Sequence, residues 1–279
     1  MALLLIGATL AGASWFVAWG RFGLFTEFAF FPLWLGYVLT INGLSQIVFG
    51  RSLMTSMGRS FPVLFAISVP LWWFFEGMNA IVHNWHYRFA QPISTLDYIM
   101  RASIDFSTVV PAVLSTSHLV NLILQGHFSP PSSRGDVSRP ALAWTVLGGL
   151  ACYALLPAFP NETYPLVWIA PILILEPLGF ALRYPTLLSD IRECGWRLTA
   201  AVMIATTVTG VWWEMWNFYS LPKWTYTIPY VGFWKVFEMP LLGYLGYPVF
   251  GIAVFGYAAI ALRLIARQNL RRIFSPSRL

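Results

Sequence analysis

Two glutamates stand in near copies of one stretch. Trp72-Trp73-Phe74-Phe75-Glu76-Gly77-Met78-Asn79 places a carboxylate three residues before an amide, and Val211-Trp212-Trp213-Glu214-Met215-Trp216-Asn217 does so again. Each copy runs on to Trp-x-Tyr, as Trp85-His86-Tyr87 and Trp224-Thr225-Tyr226. Helical positions three apart share a face, which places Asn79 to orient the Glu76 carboxyl and Asn217 to orient that of Glu214. Asp105 and Glu238 follow as a second acid in each half. If the two stretches meet, their acids share a desolvated site and do not both ionise readily, leaving one as proton donor and the other as base. The surrounding aromatics, Trp73, Trp213 and Trp216 among them, could stabilise a carbocation through their faces or pack against a long apolar ligand. The competing reading is that the Glu-Asn pairs tie helices together by hydrogen bonds in lipid.

Other polar groups support a different chemistry. His118 lies in Ser115-Thr116-Ser117-His118 with Asn121 and Gln125 beyond it, a polar face that either lines a cavity or bonds to a neighbour. Glu176 precedes Pro177, and a proline inside a helix frees a backbone carbonyl. Broken helices carrying a carboxylate occur in transporters. His83 and His86 follow Glu76 without His-x-x-x-His or Glu-x-x-His spacing, and Cys152 and Cys194 have no metal-type spacing, so no metal site is expected. Walker, Rossmann and nucleophile-elbow patterns are missing, and no cofactor is expected.

The elements that must position these groups follow from composition. Of 279 residues 58% are hydrophobic, 17% aromatic and 10% charged, whereas soluble domains carry about 25% charged residues. The formal charge of +6 is accounted for by basic cytoplasmic loops, and no nucleic-acid partner is expected. Apolar runs over 2–20, 27–49, 61–82, 104–125, 141–158, 164–182, 196–219 and 236–266 predict an all-α polytopic integral membrane protein of about eight transmembrane helices. The first run contains a mimic of a signal-peptide cleavage site, Ala11-Gly12-Ala13, but lacks a basic N-terminal region and has a counterpart in 141–158, so it is expected as a retained helix. With the N-terminus inside, 12 of the 17 Lys and Arg residues fall in inside loops. This predicts both termini in the cytoplasm, with a bacterial inner membrane as the expected location.

Residues 126–140, rich in Ser, Pro, Gly and Arg, read as a cytoplasmic linker between halves. A first four-helix repeat over 1–125 and a second over 141–279 with a basic tail give a duplicated four-plus-four bundle. Each half holds an even number of spans, so the repeats run parallel, related by an axis along the membrane normal.

The paired Trp-Glu-aromatic stretches, with Phe237-Glu238-Met239-Pro240-Leu241-Leu242-Gly243, resemble an uncharacterised group of bacterial polytopic membrane proteins. In architecture and chemistry the chain is also similar to the membrane-integral (heterodimer-type) lycopene cyclases and related carotenoid enzymes. The repeated Pro-x-Glu of that family occurs once here, at Pro160-Asn161-Glu162, and no catalytic residue is carried over. The resemblance implies duplicated helices and intramembrane carboxylates acting without a redox cofactor. The expected function is an acid/base isomerase or cyclase acting on an apolar isoprenoid, polyene or sterol-like lipid. Glu76 and Glu214 would be acid and base, with Asn79, Asn217, Asp105 and Glu238 in support. The partner would be a membrane lipid or apolar small molecule. Alternatives are a proton-coupled transporter or channel using His118 and Glu176, and a non-catalytic assembly protein.

Overall fold

The computed structural model describes residues 1–128 and 137–275. Arg134, Arg278 and most of the 126–140 linker lie outside the described residues. The chain is mainly helical. In order it forms α1 (Ala2–Gly20), α2 (Leu24–Glu27), α3 (Phe30–Phe49), α4 (Leu53–Met57), α5 (Val63–Val82), β1 (Trp85–Arg88), α6 (Thr95–Phe106) and α7 (Val109–Ile123). There follow α8 (Arg139–Leu155), α9 (Pro160–Thr163), α10 (Leu166–Ala181), α11 (Leu187–Cys194), α12 (Arg197–Tyr219), β2 (Lys223–Tyr226), β3 (Lys235–Val236), β4 (Met239–Pro240), α13 (Gly246–Ile265) and α14 (Leu270–Phe274).

Among the described residues, six helical segments are long and apolar enough to cross a membrane. They are α1, α3, α5, α6 with α7 (Thr95–Ile123), α12, and α13 with its 3-10 lead-in (Leu241–Ile265). Leu5, Ile6, Phe16, Trp144, Leu147 and Leu150 stand exposed, as lipid-facing side chains do when hydrocarbon is the solvent. The expected fifth and sixth spans are the helices α8 and α10, of 17 and 16 residues. At about 1.5 Å per residue each is shorter than the ~30 Å hydrocarbon core.

Four segments form the centre: α7 packs on α5 and α12, and α13 packs on the same two. On one side α3 lies against α7 with α1 behind it; on the other α10 lies against α13 with α8 behind it. Both outer pairs close over glycine. A Cβ on Gly36 would come within 2.4 Å of the Ala11 backbone nitrogen, and one on Gly149 within 2.7 Å of Ile174. Small residues let helix backbones approach where lipid offers no hydrophobic drive to association.

Two expected starts move. The fourth span begins at Thr95, where the Ser94 hydroxyl accepts the Asp97 N–H at 3.1 Å as an N-cap. Its break comes at Ser107-Thr108, four residues before Pro111, which has no N–H to bond back to Ser107. Asp105 therefore lies about 15 Å along α6, not at its start. Glu238 lies in the turn between β3 and β4, also not at a helix start.

The Trp-x-Tyr segments are strands. β1 and β2 pair antiparallel across the two halves, with Trp85 opposite Tyr226 and Tyr87 opposite Trp224. At the opposite end of the bundle, the Asn42 side chain accepts the N–H of Met54 in the first turn of α4 at 2.8 Å. Glu176 does the same for α11, accepting the N–H of Leu188 at 2.6 Å and of Leu187 at 3.4 Å.

Candidate functional site

The β1–β2 ribbon sits where α5 and α12 end. Successive side chains of a strand point to opposite faces. Trp85, Tyr87, Trp224 and Tyr226 line a cavity, and His86 meets Thr227 Oγ1 at 2.8 Å at an exposed position. Each strand is fastened to its helix by the repeated asparagine. Asn79 Nδ2 donates to the Trp85 carbonyl at 2.8 Å, and its Oδ1 accepts the N–H groups of Asn84 and Trp85 at 2.9 and 3.1 Å. Asn217 holds Trp224 likewise, donating to its carbonyl and accepting its N–H, both at 2.8 Å. The amides thus grip strand backbone and do not orient the carboxyls, a correction to the expected pairing. The i, i+3 spacing placed them correctly on a face, but each helix ends within a turn and the returning chain claims the amide.

The glutamates bond to the ribbon's aromatic side chains. Glu76 Oε1 accepts from Tyr87 OH at 2.7 Å and from the indole N–H groups of Trp72 and Trp85, both at 3.0 Å. Glu214 Oε1 accepts from Tyr226 OH at 2.7 Å and Tyr247 OH at 2.6 Å, and Trp224 Nε1 donates to the Tyr226 oxygen at 2.8 Å. The two carboxyls are bonded to separate sets of donors and not to each other. Burial first, then the adjacent Glu76 charge, holds the Tyr87 phenol well above the usual tyrosine range; burial and Glu214 do the same for Tyr226. Both hydroxyls stay protonated and available as donors.

The cavity has a volume of about 400 Å³, within the range of small-molecule sites. Its wall combines Trp72, Trp85, Trp168, Trp213, Trp224 and Phe250 with the hydroxyl-bearing Tyr87, Tyr226 and Tyr247. Charged groups also line it: Glu27, Arg101, Asp105 and Lys223. Arg101 pairs with Glu27 at 2.5 Å, and Lys223 pairs with Glu238. Asp105 is the carboxyl of the expected acid set that lines the space directly, whereas Glu76 and Glu214 stand one bond behind the wall.

Of the other expected residues, Trp213 is on the wall. Trp73 turns to α6 and donates to Ser103 Oγ at 2.9 Å. Trp216 packs edge-on against Trp34, 4.9 Å between ring centres. His118 is buried at the opposite end, its ring 5.4 Å from that of Phe274, and Glu176 caps α11 there. Neither His118 nor Glu176 belongs to the cavity wall. The wall tyrosines and Trp168 are the residues that motif reasoning passed over. The repeated Trp-x-Tyr was the available signal for four wall residues; Trp168 and Tyr247 had none.

The fold and site define a polytopic helical membrane protein with an aromatic cavity at one end, walled by a two-stranded ribbon. Comparison with known proteins gives no matching family model, no matching curated protein and no matching solved structure.

Proposed function

We propose that the protein binds an apolar isoprenoid, polyene or sterol-like lipid in this cavity and acts on it as an acid/base isomerase or cyclase. The observation that carries the reading is the pairing of wall with acid: cavity-lining phenols bonded to the half-buried Glu76 and the buried Glu214 on one side, and Asp105 in the wall itself. In this scheme Asp105 delivers a proton to a carbon–carbon double bond and a carbocation forms. The indole and phenyl faces stabilise it. A proton then leaves the neighbouring carbon to a wall tyrosine, whose own proton passes to Glu76 or Glu214. One proton enters and one leaves, so the double bond shifts or a ring closes with no net change in composition and no redox cofactor.

The same reading extends to architecture. The matched order of helices, the two asparagine clasps and the Trp-x-Tyr strands support a duplicated bundle of eight helices, with α8 and α10 crossing as short spans. Both termini would face the cytoplasm of a bacterial inner membrane, and the ribbon would face outward.

The test is a lipid extract of purified protein analysed by mass spectrometry, followed by turnover of the lipid it identifies. Asp105→Asn is expected to lower conversion at least about a hundredfold, as loss of a general acid does, and Glu76→Gln combined with Glu214→Gln is expected to do the same by removing both proton acceptors, while the protein still assembles in the membrane. A bound apolar lipid converted equally well by both variants would sink the acid/base scheme.

A further inference from the structure

We infer that the ligand of this cavity carries a hydroxyl group and that Asn84 recognises it. The inference rests on the lipid-binding reading of the cavity and adds a specificity determinant to it. Asn84 sits between His83, which ends α5 with a left-handed backbone (φ 51°), and the first residue of β1. Both its backbone groups are committed. Its N–H donates to Asn79 Oδ1 at 2.9 Å, and its carbonyl accepts the Thr227 N–H at 2.9 Å. The residue is therefore held from both halves of the bundle, and its position does not depend on its side chain. That side chain is 4% exposed and lines the cavity, and its Oδ1 is buried without a hydrogen-bond partner in the protein.

Several other polar groups of the wall are already partnered. Tyr87, Tyr226 and Tyr247 donate to glutamates, and Arg101 and Lys223 are in ion pairs. Among the described residues, Asn84 Oδ1 is the buried, unpartnered polar atom on this wall. An amide oxygen shut into an apolar site without a donor is costly, and the cost is lifted by a ligand that brings one. A hydrocarbon or an ether cannot; an alcohol can. Polar groups of this kind fix a ligand's orientation in a site otherwise lined by apolar surface. Asn84 would thus set which end of a long apolar molecule lies at the ribbon, and with it which double bond meets Asp105.

The experiment compares retinol, a fluorescent polyene alcohol, with retinyl methyl ether. Binding to the purified full-length protein is read by energy transfer from its tryptophans. The expected result is that retinol binds about tenfold or more tightly than the ether. In Asn84→Val the difference should vanish through weaker retinol binding, with ether affinity unchanged, which shows the cavity intact. Equal affinity of the wild-type protein for alcohol and ether would overturn the role of Asn84 and leave the lipid-binding reading standing. Equal losses for both probes in Asn84→Val would make the residue structural and also overturn it. Binding of neither probe to the wild type would remove the reading on which the inference rests.

Discussion

A carboxylate at the end of a membrane helix must find donors, and Glu76 and Glu214 find theirs in side chains that return from the following strand. Hydrogen bonds to a charged group contribute about 1.5–3 kcal/mol each, and removing one partner leaves the other buried and exposed to that full penalty. Tyr226→Phe removes a donor to Glu214 and the acceptor of the Trp224 indole together. It should destabilise the protein by about 2 kcal/mol, visible as a lower melting temperature in detergent. Tyr247→Phe, which removes a donor only, should cost less. If the two variants melted alike, the Trp224–Tyr226–Glu214 chain would not act as a unit. The phenols also make a pH prediction. Burial and a neighbouring carboxylate raise the Tyr87 ionisation above the usual value near 10, so the neutral form persists as pH rises past it. Tyr87→Phe should therefore remove no phenolate absorbance at about pH 11. A drop in that signal would show Tyr87 titrating as an exposed tyrosine.

At the scale of elements, the ribbon is the feature that joins distant parts of the chain. Its register sets His86 directly opposite Thr225, on the face turned from the cavity. Residues opposite each other in an antiparallel pair have Cα atoms about 4.5–5.5 Å apart, within disulfide range. His86→Cys with Thr225→Cys should crosslink on mild oxidation, and His86→Cys with Lys223→Cys should crosslink far less. The reverse preference would mean a different register. The Asn clasps predict that Asn217→Leu, which leaves the Trp224 N–H and carbonyl without their partner, loosens β2 selectively. Hydrogen exchange should rise across 223–226 while α12 stays protected. The helix pairs make their own demand. Gly36→Leu would drive a side chain into the α1 backbone at Ala11 and should cost about 1–3 kcal/mol or more by overpacking, measured as lost thermal stability.

The whole molecule is a bundle with an aromatic cavity at one end and polar helix caps at the other. Orientation is testable directly. A cysteine at Thr227, beside the ribbon, should react with an impermeant thiol reagent in intact cells, and one at Arg267 only after permeabilisation. Both positions reacting from the same side would refute the arrangement proposed for the spans. At this scale the division between sequence and tertiary structure is clear. Apolar runs and sparse charge determined a helical membrane protein, because hydrocarbon tolerates few unpaired polar groups and helices satisfy their own backbone. The recurrence of Glu-x-x-Asn and Trp-x-Tyr marked segments that the structure brings together at one end of the bundle. Partners were not legible, since an i, i+3 spacing defines a shared face but not what returns to cover it. Only the packed chain gave Asn79 and Asn217 to strand backbone, set Glu76 and Glu214 behind tyrosines, and put Glu176 to work as a helix cap. It also brought Asp105, Asn84, Trp168 and Tyr247 from four separate segments to one cavity. Those meetings depend on how helices pack around glycine contacts and where two distant strands pair, and such long-range contacts leave no local period in a sequence.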